Sequence, residues 1–311
     1  MLTRRQLRIK ALQALYAQHI TGSSMQKAIR AFEESNENVF HLYLLEMKAI
    51  GEFHRLEEER LERGKHKKIP SAEDLKPNYT MVEHPLLKNI RTDKALSEMF
   101  EEQTVRWGDD RDILRSIYKK FIQTEVYTNF VNSQNPDASA LRQFVMDIYG
   151  YLAHDEVLHE VYEGRNIHWT DDLEAVQMMV VFTISQSPTE EGAPVSIAQL
   201  YKDDEDLDYG IELLKKAIQN EAYFDELIAA KATNWDGDRI AVIDKLLMKL
   251  ALVELIYFNQ IPVKVTFNEY IELSKQFSTS KSGVFINGVL DKLTAQLTES
   301  GEIRKIGRGL L

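Results

Sequence analysis

The chain has 311 residues, of which 44% are hydrophobic and 28% are charged, a composition typical of a soluble globular protein. It has no cysteine, which excludes disulfides, thiolate metal sites and thiol nucleophiles. No run of 18 apolar residues occurs, so we expect no transmembrane helix and a cytoplasmic protein.

The charge is unevenly distributed along the chain. The net charge is −11, yet residues 1–30 contain six basic and no acidic residues, so the other 281 residues carry −17. The basic residues of this segment are Arg4, Arg5, Arg8, Lys10, Lys27 and Arg30. A basic cluster on an acidic protein indicates a local anion-binding patch, since screened charges act over only about 8–10 Å.

Apolar residues recur mostly every three to four positions, which predicts helices throughout and an all-α protein. A long helix is predicted from Phe40 to Glu62, ending in Glu-Arg repeats in which Glu57, Glu58 and Glu59 are expected to be solvated. Proline-containing or polar stretches at residues 69–85, 132–136 and 185–196 predict breaks between helices.

Three tryptophans, Trp107, Trp169 and Trp235, each precede acidic residues and an amphipathic run. We interpret each segment as a helix start, with an Asp at or near the N-cap and the indole as an anchor. The spacings are compatible with duplication of a helical unit and equally with independent recurrence of one start signal.

The C-terminal third has the clearest pattern. Residues 238–258 are apolar on almost every face, which predicts a central helix that ends before Pro262. Thr266 and Glu269 have capping-box spacing and predict the start of the next helix. A polar loop at residues 278–283 then precedes a last predicted helix over residues 285–297, and the tail is basic again.

Three ordered motifs resemble the NusB family of transcription antitermination proteins. Arg4 to Tyr16 is similar to the arginine-rich opening helix of that family, with its QALY motif. Residues 244–269 resemble its central helix and the following turn, and residues 282–293 resemble its FxNGVLDK signature. The resemblance covers residues 1–25 and 205–298.

The resemblance implies a NusB-like helical bundle of two subdomains, here with an additional helical insertion. On this basis we divide the chain into a basic first helix (1–25), a helical insertion of unknown role (26–204), the NusB-like C-terminal core (205–298) and a basic tail (299–311). It further implies no catalysis, and we expect no cofactor and no metal. The family pairs with the ribosomal protein NusE, binds boxA RNA and joins the antitermination complex of RNA polymerase.

The basic first helix is the candidate RNA site. Arginines in a first turn oppose the helix dipole, at about 0.3–1 kcal/mol each, so Arg4, Arg5 and Arg8 suggest an anion at this position. Lys10 adds a further positive charge, and Tyr16 is placed to stack on a single-stranded base. The alternative interpretation is that these charges are merely solvated and that Tyr16 packs in the core.

A second candidate region is the loop before the last helix, which lies near RNA in the family. Here it supplies Lys281 and Phe285, although Phe285 also fits a core position. Asp244 and Glu254 are candidates for the NusE-binding face, with simple surface solvation as the alternative.

Other chemistries are poorly supported. His154 and His159 are five residues apart, whereas a zinc-binding helix needs a spacing of four, and His168 does not complete a site. RNA methyltransferases with a NusB-like domain need a cysteine nucleophile, which is absent. The remaining alternative is a non-catalytic helical scaffold whose acidic middle recruits basic partners such as ribosomal proteins.

Overall fold

A computed structural model describes residues 1–232 and 240–310. Within these residues every regular element is helical and no strand occurs, so the predicted all-α class is confirmed. The α-helices are α1 (Arg4–Thr21), α2 (Met25–Lys65), α3 (Ala72–Leu75), α4 (Pro85–Thr92), α5 (Lys94–Glu102), α6 (Arg111–Phe121), α7 (Glu125–Val131), α8 (Ala138–Ala153), α9 (Glu156–Arg165), α10 (Trp169–Gln186), α11 (Asp204–Gln219), α12 (Glu221–Ala232), α13 (Val242–Tyr257), α14 (Val263–Phe277) and α15 (Ser282–Glu299).

The chain forms two compact units. The terminal unit combines residues 2–36 with residues 201–311, and the middle unit consists of residues 37–200 with Met1. The middle unit has 18 Lys and Arg residues against 29 Asp and Glu residues, so it carries the whole net charge of −11. The domain limits expected from the family resemblance, at residues 25/26 and 204/205, remain a prediction.

Helix α13 is the centre of the terminal unit. All residues from Leu246 to Leu255 are buried, and α13 packs against α1, α11, α12, α14 and α15. The apolar residues on every face of this helix are therefore all covered, as the sequence predicted. Residues 238 and 239 of the predicted helix lie outside the described residues.

The start of α14 differs from the prediction. The helix begins at Val263, directly after Pro262, so Thr266 and Glu269 lie inside it and do not form a capping box. Pro262 is the N-cap residue of α14 and has an extended backbone, and its missing N–H needs no partner at a helix start. The side chains of Thr266 and Glu269 are thereby free to bind groups on other helices.

Helix α2 is longer than predicted, and one of its glutamates is not on the surface. Glu57 is fully buried and accepts hydrogen bonds from the phenols of Tyr118 and Tyr127. Arg60 binds both oxygens of the same carboxylate, at 2.7 and 2.9 Å. The predicted solvation of Glu57 is wrong because this residue lies one turn from Phe53, on the buried side of the helix.

Two tryptophan segments start helices as predicted, and Asp110 is the N-cap residue of α6. Trp107 and Trp169 are buried, and each ring centroid lies 6.2 Å from that of Tyr162. Neither Asp110 before α6 nor His168 before α10 makes a capping hydrogen bond through its side chain. The acidic residues at these two sites lie in or before the first turn, where the helix dipole favours them. The third segment, around Trp235, lies outside the described residues.

A buried carboxylate lies at the centre of the middle unit. Glu46 of α2 is buried and accepts a hydrogen bond from the phenol of Tyr149 on α8. Burial raises the pKa of Glu46 to about 7, and the hydrogen bond from Tyr149 limits the rise. The protonated form of Glu46 is thus the form that folding favours.

This raised pKa makes the stability of the middle unit pH-dependent. The contribution of protonated Glu46 is fully present below its unfolded pKa, near 4.5, and is lost as the pH rises through about 7. We expect the middle unit to lose roughly 3 kcal/mol between pH 4.5 and 7.5, at 1.36 kcal/mol per pKa unit. Glu46→Gln should remove this loss, as measured by hydrogen exchange of α8 amides across that range.

The control is Glu58→Gln, which changes an exposed glutamate on the same helix. It should leave the pH dependence of exchange in α8 intact. A Glu46→Gln protein with the same pH dependence as the wild type would refute the assignment.

Candidate nucleic-acid interface

The first helix starts with a neutral cap and a basic first turn. The hydroxyl of Thr3 accepts a hydrogen bond from the backbone N–H of Gln6, and the side chain of Gln6 accepts one from the backbone N–H of Thr3. No acidic residue lies in the first turn of α1. The arginines there must therefore obtain compensating charge from outside the helix.

Arg8 obtains this charge from Glu254 in the central helix. The guanidinium Nε and Nη2 donate to the two carboxylate oxygens of Glu254 at 2.8 and 2.9 Å. Only 4% of the Arg8 side chain and none of the Glu254 side chain is exposed. This is the two-point geometry in which an arginine–carboxylate pair is strongest.

Two hydroxyls complete the environment of Glu254. Tyr209 of α11 donates to one carboxylate oxygen at 2.6 Å, and Thr266 of α14 donates to the other at 2.8 Å. The Tyr209 ring also lies 5.1 Å from the guanidinium carbon of Arg4 and 5.6 Å from that of Arg8. One buried carboxylate thus joins side chains from α1, α11, α13 and α14.

Arg4 and Arg5 bind carboxylates at the surface. Arg5 makes two hydrogen bonds of 2.9 Å to Glu269 of α14, and Arg4 contacts Asp206 of α11 at 3.1 Å. The side chains of Arg4 and Arg5 remain 43% and 52% exposed. The hydrogen bond from Arg5, together with the positive charges of Arg8 and Arg5, lowers the pKa of Glu269 despite its partial burial.

The anion expected at this helix start is therefore supplied within the terminal unit. The carboxylates of Asp206, Glu254 and Glu269 all face the basic end of α1. The guanidinium groups of Arg4 and Arg5 remain open to solvent beside these half-buried carboxylates, so a phosphate can compete for them. Arg8 and Lys10, in contrast, are buried. Direct contact with RNA requires a position on the surface, which neither side chain has.

Tyr16 is on the surface, with 41% of the residue exposed. It follows Arg5 by eleven positions, which places the two side chains within about 20° of the same helix face and roughly 16–17 Å apart along the axis. The alternative that Tyr16 packs in the core is thus wrong. The exposed part of α1 combines a basic start with an aromatic ring on one side.

The second candidate region is built around a hydroxyl cluster. The Ser282 hydroxyl donates to the carboxylate of Asp244 at 2.9 Å and contacts the hydroxyls of Ser278 and Thr279 at 3.0 and 2.8 Å. These contacts fix the loop that precedes α15. Lys281 is exposed at the N-cap position of α15, and Phe285 is half-buried one turn later.

Neither candidate for the partner-binding face lies on the surface. Asp244 is 6% exposed and Glu254 is fully buried. Their burial disagrees with the expected contact to NusE and also with the alternative that both residues are solvated. Asp244 holds the loop before α15, and Glu254 holds α1. Their negative charges thus position other elements of the terminal unit.

Sequence reasoning missed three residues of the α1 site. Asp206, Tyr209 and Glu269 lie about 200 to 260 positions after the arginines that they contact. The only sequence signal was the acidic run at residues 203–208, whose charge complements the first helix. The spacing of Thr266 and Glu269 also fits a local capping box, so it does not reveal their contacts with α13 and α1.

Neither a metal-binding cluster nor a membrane-spanning helix occurs in the described residues. No group of His, Asp or Glu side chains within residues 1–232 and 240–310 is arranged to hold a metal ion. Over the same residues, no helix combines the length and apolar character needed to cross a membrane.

Comparison with known proteins identifies part of the chain. Residues 173–295 match the model of the NusB family. This part of the chain is therefore similar to the NusB family. The chain is also 35% identical over 138 residues to a transcription antitermination protein NusB of Chloroherpeton thalassium, and 39% identical over 104 residues to that of Salinibacter ruber. These alignments cover 44% and 33% of this chain, and the recognition of the family from sequence is confirmed.

The NusB family match has clear limits. The chain spans about two thirds, 65%, of the length of each of these two relatives. The matched region begins within α10 and ends in α15, so it contains Glu254 and Glu269 but not the first helix. No solved structure matches the chain. The assignment of residues 1–25 to the NusB fold therefore depends on the motif and on the contacts of α1.

The pairing of Arg8 with Glu254 leads to a stability prediction. Arg8→Met should destabilise the terminal unit by about 3–5 kcal/mol, because it leaves Glu254 charged and buried without its counter-ion. Arg5→Met removes an exposed ion pair on the same helix and should cost no more than about 1 kcal/mol. Hydrogen exchange of α13 amides measures both losses, and equal losses would contradict the central role of Arg8.

Proposed function

We propose that this chain is a non-catalytic transcription antitermination factor that binds boxA-type leader RNA together with the ribosomal protein NusE. In this role it supports transcription of ribosomal RNA as part of the antitermination complex of RNA polymerase. The NusB family domain at residues 173–295 is the observation that carries the proposal. The two relatives named transcription antitermination protein NusB support it further.

In the proposed complex, RNA binds along the exposed side of α1. Arg4 and Arg5 contact phosphates in exchange for their surface carboxylates, and Tyr16 stacks on a base. Lys281 and Phe285 provide a second contact at the start of α15. Arg8 and Lys10 contribute indirectly, since their buried positions hold the helix that displays the other residues.

The proposed protein partners bind the terminal unit without direct contact to Asp244 or Glu254. Both carboxylates are buried, so their contribution to NusE binding is to fix the loop before α15 and the first helix. The surface that faces NusE or RNA polymerase then consists of exposed residues of these elements.

One observation favours a second role as a scaffold for basic proteins. The middle unit carries the whole net charge of −11, which disfavours nucleic acid and favours positively charged partners. This role is compatible with RNA binding, because the terminal unit has 20 basic and 20 acidic residues and no net charge.

The RNA site is tested by titration of boxA RNA in the presence and absence of NusE at two salt concentrations. Each phosphate contact on single-stranded RNA contributes about 0.7 to the slope of log affinity against log salt. Arg4→Ala with Arg5→Ala should weaken binding and reduce this slope by roughly 1 to 1.5.

Arg30→Ala is the matched control. Arg30 belongs to the same basic segment, is 80% exposed and pairs with Glu34 on its own helix. It should leave both affinity and slope nearly unchanged. Equal binding by wild type and the Arg4/Arg5 variant would rule out the α1 site, and absence of RNA binding even with NusE would favour the scaffold role.

The carboxylate exchange predicts that RNA binding improves when a competing carboxylate is removed. Asp206→Asn frees Arg4 and should raise RNA affinity about two- to fivefold, matching the modest strength of an exposed ion pair. Asp208→Asn removes the same charge from an exposed residue of the same helix and should have a smaller effect. Identical gains from both variants would show a general charge effect instead of competition at Arg4.

A further inference from the structure

The middle unit contains a solvent-open groove that the proposed RNA-binding function does not use. Two adjoining cavities, of about 610 and 260 Å³, share Lys120 and Asp155 in their walls. Helices α6, α7 and α8 and the first turn of α9 supply the walls. Together the cavities are large enough for several side chains of a bound molecule.

The floor of the groove is apolar. The side chains that form it come from α6 and α8, namely Ile113, Ile117, Phe121, Met146 and Tyr151. Val126 and Val157 lie in the wall and are 43% and 45% exposed. A concave apolar surface bordered by half-exposed valines is typical of a surface that another molecule covers.

The charged side chains of the groove are mainly acidic. Asp112, Asp147 and Asp155 line it, against the single cation Lys120. Asp112 pairs with Arg115 on its own helix, whereas Asp147 accepts a hydrogen bond from the neutral Gln143 and Asp155 caps α9. Asp147 and Asp155 therefore provide the negative charge of the groove, within a unit of net charge −11.

We propose that this groove binds a basic amphipathic helix of a partner protein. Apolar side chains at spacings of three and four residues occupy the floor between Val126 and Val157, and flanking Lys or Arg residues meet Asp147 and Asp155. Electrostatic complementarity supplies specificity, and burial of the apolar floor supplies most of the affinity. The proposal does not depend on RNA binding by the terminal unit.

Other occupants fit less well. The acidic wall and the charge of the whole unit repel a nucleic acid backbone. A second copy of the middle unit would bring the same negative charge to the surface, which disfavours its approach. Val126 and Val157 line different cavities, so a small ligand in one cavity would leave the other valine uncovered.

The test uses the full chain and a fluorescent peptide of about 18 residues, with Leu at helical spacings of three and four and Lys at the other positions. The peptide should bind, and its affinity should fall as salt rises. A peptide with Glu in place of every Lys should bind at least about tenfold more weakly. Equal binding of the two peptides would overturn the charge assignment.

Variants locate the binding site. Val126→Glu with Val157→Glu should lower the affinity for the basic peptide at least about tenfold, because charges then replace the apolar wall. Met178→Glu with Val181→Glu is the matched control, since it adds the same charge to residues of α10 that are 46% and 43% exposed. This control should bind the peptide within about twofold of the wild type.

Equal loss in both variants, or loss only in the α10 control, would overturn the groove assignment. Loss of boxA RNA binding in the groove variant would show that the occupant is nucleic acid, which also overturns it. If the groove variant unfolds, methyl NMR of the wild type decides the question. The signals of Val126 and Val157 must shift when peptide is added, and unchanged signals would refute the proposal.

Discussion

The terminal unit depends on the buried pair of Arg8 and Glu254, which lie 246 positions apart in the sequence. Removing two charges from water is costly, and such a pair adds net stability only when its remaining hydrogen-bonding capacity is satisfied. Here Tyr209 and Thr266 satisfy it. The pair therefore specifies one position of α1 on the central helix, because any shift would leave a buried charge without a partner.

The same arrangement explains how a basic helix start is tolerated and kept accessible. Burial of Arg8 fixes the first two turns of α1, so Arg4 and Arg5 are held at the surface beside carboxylates of α11 and α14. These carboxylates relieve the unfavourable interaction of the arginines with the helix dipole. Half-exposed arginines such as Arg4 and Arg5 can exchange their carboxylates for phosphates, whereas the buried pair of Arg8 and Glu254 cannot.

The parts of the fold that sequence predicted correctly are those that local patterns determine. Helix α13 was recognised because its apolar residues cover every face, which only a fully surrounded helix can accommodate. The predicted start of α14 is wrong because the helix begins directly after Pro262, before the apparent capping box at Thr266. The burial of Glu57 and of Arg8 could not be predicted, since each depends on partners far away in sequence: Tyr118 and Tyr127 for Glu57, and Glu254 for Arg8.

The charges of the candidate site also depend on residues far away in sequence. The distribution of charge along the sequence predicted a basic N-terminal segment. It did not predict that three carboxylates from other helices pair with the arginines of this segment. The functional contrast lies instead between the units, since the terminal unit has no net charge and the middle unit carries −11. In the proposed functions, the terminal unit admits an anion by exchange at Arg4 and Arg5, whereas the net negative charge of the middle unit favours cationic partners. Under the two proposals, the terminal unit binds RNA and the middle unit binds a basic protein, so the charge of each unit matches the chemistry of its proposed partner.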